Sequence, residues 1–261
     1  MLTFISSMNY NLYEQYGKRF LSSWIEKAGN NIELIICFEG AGIEAVHEEF
    51  DSDRIKIINL NSDLLTRFRS IYSQFSEARG ILLRQDEAKR ISATYNYRYD
   101  AVKFAFKIFS IQQVLEERDI KNNFAWIDSD IVCLKNFQEI NLNVFFPPDE
   151  CLASYLGREA FPLPNPYSEC GFVAYNYGHK DTACFINDFL NLYAYGEIFA
   201  LKEWHDCMAF DAVRRIYQKR GVPFLNLSEK FPNADHPFML SGLSEYFDHL
   251  KGPERKNRGF S

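Results

Sequence analysis

The sequence predicts an α/β fold, a single domain built on a Rossmann-like mixed open sheet flanked by helices. Three observations lead there. Strand and helix signals alternate through roughly the first hundred residues. The run IELIICFEG (32–40) is apolar from Leu34 to Phe38 and closes on a Gly turn, as expected of a strand covered on both faces. A chain of 261 residues with 47% hydrophobic content can also bury one large core.

The elements follow in order. LTFISS is a β-prone opening run, and 10–27 places Leu12, Tyr16, Phe20, Leu21 and Trp24 on one helical face. IELIICFEG and RIKIINL are the next two strands, giving a β-α-β-β order. Residues 61–96 are polar and irregular, which predicts a helical surface or an excursion. A largely buried helix is expected over 100–118, where Ala101, Phe104, Ala105, Ile108, Ile111 and Leu115 repeat at helical spacing. FAWI is a strand, and a loop-rich stretch with five prolines spans Pro147 to Pro166. ECGFVAYN reads as an alternating strand, 182–195 and EWHDCMAFDAVRRIYQKRG as helices, and VPFLNLS as a short strand. The stretch LKGPERKNRGFS is a basic, Gly/Pro-punctuated loop.

A formal charge of −6 argues against a nucleic-acid binder, which needs a basic face for phosphates. No segment approaches the roughly 20 apolar residues of a membrane span, and the opening residues lack the basic n-region of a signal peptide. Six scattered cysteines without a CxxC pair read as reduced core residues of a cytoplasmic protein. The oligomeric state is left open.

The most informative stretch is FAWIDSDIVCL, 124–134, in which Asp128 and Asp130 interrupt an apolar run. Burying isolated carboxylates is costly, so the pair belongs where the strand emerges. Acids at i and i+2 on a strand face the same side and can share a divalent cation. Oxygen ligands suit Mg²⁺ or Mn²⁺, which complete their shell with water and substrate phosphates.

This arrangement resembles the GT-A glycosyltransferases, whose DxD follows a hydrophobic strand and binds the metal of a metal and sugar-nucleotide complex. HLKGPER is similar to the HxxGxxK signature of the glycogenin and bacterial lipopolysaccharide galactosyltransferase group, with His249, Gly252 and Arg255 at its positions. Arg255 replaces the lysine, with Lys256 beside it and Lys251 inside the motif. The resemblance implies a GT-A type single domain over 1–261, with a nucleotide-sugar-binding half (1–135) and an acceptor-binding half (136–261). It implies Asp128, Asp130 and His249 as ligands of Mn²⁺ or Mg²⁺, and Lys251, Gly252, Arg255 and Lys256 on the diphosphate of a UDP-sugar. Ser6, Ser7, Arg98, Asp100 and Ser129 would lie near the nucleotide or sugar, and Gly171 would let backbone approach the transferred sugar closely.

Lys107 either snorkels or reaches a phosphate; Asp100 either caps its helix or contacts the donor. Glu203, Trp204, His205 and Asp206 gather at a helix start, where acids favour the dipole. Asp206 and then Glu169 are the candidates for a base acting on the hydroxyl of a glycan or other acceptor, and Trp204 for a sugar platform. A retaining reaction, which the tail signature favours, would leave both acids as orienting groups. Alternatives are a nucleotidyltransferase, a DxD phosphatase of haloacid dehalogenase type and a non-catalytic carbohydrate-binding protein on a transferase scaffold. No Gly-rich phosphate loop follows LTFISS, and more than 120 residues precede a motif that normally opens a phosphatase domain.

Overall fold

The computed structural model describes residues 2–85, 91–118, 120, 122–158, 167–228 and 236–250. Its strands are β1 (Leu2–Asn9), β2 (Ile32–Glu39), β3 (Ile55–Asn59), β4 (Ile81–Gln85), β5 (Ile91–Tyr95), β6 (Phe124–Ile127), β7 (Ile131–Cys133), β8 (Ala153–Leu156), β9 (Glu169–Tyr175), β10 (Leu225–Asn226) and β11 (Phe247–His249). The α-helices are α1 (Tyr10–Leu12), α2 (Lys18–Lys27), α3 (Ile43–Phe50), α4 (Asp63–Tyr72), α5 (Ala101–Glu117), α6 (Glu139–Leu142), α7 (Thr182–Ala194), α8 (Asp206–Lys219) and α9 (Pro237–Leu240). Seven strands form one sheet in the order β10-β8-β9-β6-β1-β2-β3. β1 runs parallel to β2 and β6, and β2 to β3, whereas β9 is antiparallel to both β6 and β8.

The continuous apolar runs are explained by cores on both faces of this sheet. Phe4, Leu34, Ile36, Ala125 and Ile127 pack into one cluster with Phe20 and Trp24 of α2 and with Phe247 of β11. Their neighbours Ile5, Ile35, Cys37, Phe124 and Trp126 point the other way, onto α4, α5, α7 and α8. Alternation along the strands therefore separates two apolar layers. Asp100 begins α5 as its N-cap, its Oδ1 accepting the Lys103 amide at 3.0 Å, and Tyr95 Oη donates to its Oδ2 at 3.0 Å.

Three elements differ from the sequence reading. α3 lies between β2 and β3, so the order is β-α-β-α-β; parallel strands require such a crossover. Its apolar stripe is short, with Val46 and Phe50 buried. Residues 61–96 contain α4 and the antiparallel ribbon β4–β5, whose β5 residues are all exposed and so show no core-facing alternation. The proline-rich stretch contains β8, fully buried beside β9. Pro162, Pro164 and Pro166 and the stretch 251–261 lie outside the described residues.

α8 is tied to the start of β9 by a buried polar knot. Asp211 accepts the Ser168 amide at 3.0 Å, the Ser168 hydroxyl at 2.6 Å and Arg214 Nε at 2.9 Å. Arg214 also donates to Tyr155 Oη and lies over the Tyr155 ring. Replacing Asp211 with alanine would remove the carboxylate that accepts from the buried Arg214 and from Ser168, so D211A is expected to cost about 3–5 kcal/mol. Denaturant titration checks this, with a fall in midpoint at unchanged slope.

Candidate functional site

The site lies where β6 ends, at the carboxyl edge of the parallel strands, the position where open α/β sheets bind ligands. After Ile127 the chain turns through Asp128, Ser129 and Asp130 into β7, which pairs antiparallel with β11. His249 lies opposite Ile131 in that ladder, and the Leu250 amide donates to the Asp130 carbonyl at 2.9 Å. Thus a three-residue ribbon delivers the fully buried His249 to the acidic pair. Its Nε2 lies 3.0 Å from Asp130 Oδ1 and 3.7 Å from Asp128 Oδ2.

Lys107 is the buried cation behind this pair. It belongs to the helix face turned to β6 and β9 and is 7% exposed. Its ammonium donates to the Cys170 carbonyl at 2.7 Å, stands 3.2 Å from Asp128 Oδ1, and forms an ion pair with Asp206. Burial alone would lower its pKa, but Asp128 and Asp206 outweigh that cost and hold it well above the ordinary lysine value. The indole of Trp126 lies beneath the ammonium at 5.0 Å and donates to Asp128 Oδ1 at 2.7 Å. Asp128 is therefore oriented from behind, leaving its second oxygen toward His249.

β9 supplies the opposite wall. Gly171 donates its amide to Glu169 Oε1 at 3.2 Å, and its carbonyl accepts the Asp128 amide at 2.9 Å. A Cβ at Gly171 would stand 2.8 Å from His249 Nδ1, so only glycine leaves room for the imidazole. Glu169 is buried and paired with Arg158 Nη2 at 3.2 Å and with His236 Nε2 at 3.2 Å. The β8–β9 ladder shifts register between Tyr155 and Leu156, whose partner is Glu169.

The remaining expected residues are distributed around this centre. The Ser6 hydroxyl is buried in β1 without a hydrogen-bond partner among the described residues, while Ser7 hydrogen-bonds Glu39. Arg98 pairs with Glu203 at 3.3 Å, and His205 Nε2 lies 3.0 Å from the other Glu203 oxygen. Both Asp100 oxygens are engaged in the helix start described above. Trp204 donates to the Leu201 carbonyl at 3.2 Å, and its ring meets Tyr99 and Phe199 edge-on. Lys251, Gly252, Arg255 and Lys256 lie outside the described residues.

Three residues near the site escaped sequence reasoning. Tyr16 lies in the π-helical turn Tyr13–Gly17, hydrogen-bonds Ser129, and has its pKa raised by burial and then by Asp130 and Asp128. His236 completes a group with Glu169 and His249. Glu39 ends β2, and burial pushes its carboxyl up to about 8 against the lowering influence of Arg69, Ser7 and Lys103. The strand-final position of Glu39, in IELIICFEG, was the available sequence signal.

Asp128, Asp130 and His249 each offer one donor atom, and these lie within 4.8 Å of one another. Two carboxylate oxygens and an imidazole nitrogen fit Mn²⁺ or Mg²⁺ in donor chemistry, with room in the shell for substrate oxygens.

The overall architecture has solved counterparts. The WbbM bifunctional glycosyltransferase superposes with a TM-score of 0.52 at 12% identity, over 96% of this chain and 46% of that one. The chain shares its overall fold with that structure. Mouse xyloside xylosyltransferase 1 gives 0.49 at 12% identity over 87% and 85% of the two chains. The glycosyltransferase GlyE of Streptococcus pneumoniae TIGR4 gives 0.46 at 11% over 86% and 44%. The chain thus spans under half of the WbbM and GlyE chains. No protein-family model and no curated protein matches the sequence. No described helix is long and apolar enough to cross a membrane.

Glu39 gives a pH signature with a definite sign. Its raised folded value means that the folded chain retains a proton that the unfolded chain releases near 4.5. The stabilising contribution is complete below 4.5 and is lost as pH rises toward about 8. Glu39→Gln is expected to flatten that decline and raise stability above pH 8 by on the order of 1–3 kcal/mol, read from denaturation midpoints across pH.

Proposed function

We propose that this protein is a metal-dependent glycosyltransferase that moves a sugar from a nucleoside diphosphate sugar, a UDP-sugar in the first instance, to a hydroxyl of a glycan or other acceptor. The convergence of Asp128, Asp130 and His249 at the carboxyl end of β6 carries this reading, because it unites a hard-cation donor set with the ligand edge of a glycosyltransferase fold. When bound, Mn²⁺ or Mg²⁺ would neutralise charge growing on the leaving diphosphate.

The chain's own groups set up the rest. Lys107 and Trp126 fix Asp128, so Lys107 acts as a positioning residue and not as a phosphate contact. The diphosphate is assigned to Lys251, Gly252, Arg255 and Lys256, with Ser129 beside it. Ser6, Ser7 and Arg98 border the donor edge, and Asp100 serves it by starting α5. Gly171 admits the donor sugar past its backbone, and Trp204 borders the acceptor side.

The partners of the two candidate bases support a reading in which configuration is retained. Asp206 pairs with Lys107, and Glu169 with Arg158 and His236. Both acids then serve to orient substrate hydroxyls, and the reaction is of the kind that needs no strong protein base.

Calorimetry with UDP and Mn²⁺ tests the proposal. Binding should require the metal, and Asp130→Ala should abolish the binding; metal-independent binding, or binding that survives D130A, would overturn the assignment. Gly171→Ala should displace the His249 ring and weaken Mn²⁺ binding by about 10–100-fold, with the secondary structure preserved by circular dichroism.

A further inference from the structure

A second group of metal-binding side chains lies on the far side of Lys107. Cys170 of β9 and Asp206 and Cys207 of the first turn of α8 bring their donor atoms within 4.8 Å of one another. The Cys207 thiol donates to Asp206 Oδ1 at 3.6 Å and is hydrogen-bonded to the Cys170 thiol and to the His205 ring. His205 is 1% exposed, with Nε2 held 3.0 Å from Glu203 Oε2, and Glu203 is itself anchored by Arg98. A histidine oriented by a buried carboxylate is the arrangement that fixes an imidazole for metal ligation.

We propose that Cys170, Asp206, Cys207 and His205 form a binding site for a thiophilic divalent cation of the zinc class, separate from the Asp128 centre. Two sulfurs, a nitrogen and an oxygen match the tetrahedral preference of Zn²⁺, whereas the Asp128 set contains no sulfur. The four residues come from only two elements that the Asp211 knot already fastens together, so little ordering is needed. Charge also balances. Uptake of the ion expels the protons of both thiols and leaves His205 as a neutral imidazole, its extra proton released as well, and the resulting thiolates and Asp206 carry three negative charges against the three positive charges of the ion and Lys107. In the metal-free chain the thiols are neutral: burial raises Cys170 above the ordinary thiol value, and the Cys170 contact followed by burial raises Cys207. A bound ion reverses that preference, because a coordinating thiol is deprotonated outright.

This site shares Asp206 with Lys107, and Lys107 also holds Asp128. Occupancy would therefore draw on the ion pair that orients the first centre, although the two donor sets have no residue in common.

Cobalt titration of the reduced full chain, under argon, tests the site. Co²⁺ should give a thiolate-to-metal charge-transfer band together with visible bands of tetrahedral intensity, saturating at one ion per chain, and Zn²⁺ should bleach both. Cys207→Ser should abolish the charge-transfer band, and His205→Asn should weaken binding by about 10–100-fold. Cys207 is half-buried, and circular dichroism establishes that C207S is folded. Asp130→Ala, which removes the other centre, and Cys184→Ser, which removes the exposed thiol, should both retain the band. No charge-transfer band in the folded reduced protein, a band that survives C207S, or a band lost in C184S would each overturn the proposal. So would a reduced protein that takes up no ion and whose Cys170 and Cys207 merely oxidise to a disulfide.

Discussion

The ion pairs of Lys107 are the constraint around which the site is built. A lysine that is 7% exposed requires compensation, and its partners come from different parts of the fold: Asp128 after β6, Asp206 at the start of α8 and the Cys170 carbonyl in β9. Satisfying one ammonium therefore fixes the relative placement of a helix, two strands and a helix terminus. Removing any partner would leave a buried charge exposed to a low-dielectric surrounding, which is far costlier than losing a surface pair. The same contacts answer why a central apolar strand ends in acids: Asp128 faces the Lys107 ammonium with one oxygen and His249 with the other.

Much of the fold was legible because periodicity reports burial. The apolar runs IELIICFEG and FAWI became central strands, and the stripe over 100–118 became α5 with Asp100 at its cap. The errors arose where burial and pattern part company. β5 makes a ribbon whose side chains face solvent, so it lacks the alternation that identifies a half-buried strand. α3 presents only Val46 and Phe50 to the core, too short a stripe to stand out from its acidic neighbours. β8 lies buried inside a segment whose prolines suggested only loop.

The candidate site was legible in the residues that interrupt apolar runs and opaque in those that need tertiary partners. Asp128, Asp130 and His249 were readable from FAWIDSDIVCL and HLKGPER. Lys107 was named with two readings that the sequence could not separate, because a lysine at helical spacing beside apolar residues looks the same whether its ammonium reaches water or a buried carboxylate. Tyr16 and His236 are likewise marked by no local pattern, since their relation to Ser129 and Glu169 exists only after the sheet is assembled. Asp206 and Glu169 were visible as acids, but whether an acid can take a proton depends on cations contributed from elsewhere, and these were not.

Asp130 and His249 are 119 residues apart in sequence, yet their side chains lie 3.0 Å apart through the pairing of β7 with β11. Bringing such distant segments together costs chain entropy in the unfolded ensemble, and a three-residue ribbon returns few hydrogen bonds against that cost. An ion shared by the two residues would act as a reversible cross-link over that loop. Occupancy of that site and the docking of β11 would then be one equilibrium, and such an ion would be a structural clasp whatever else it did.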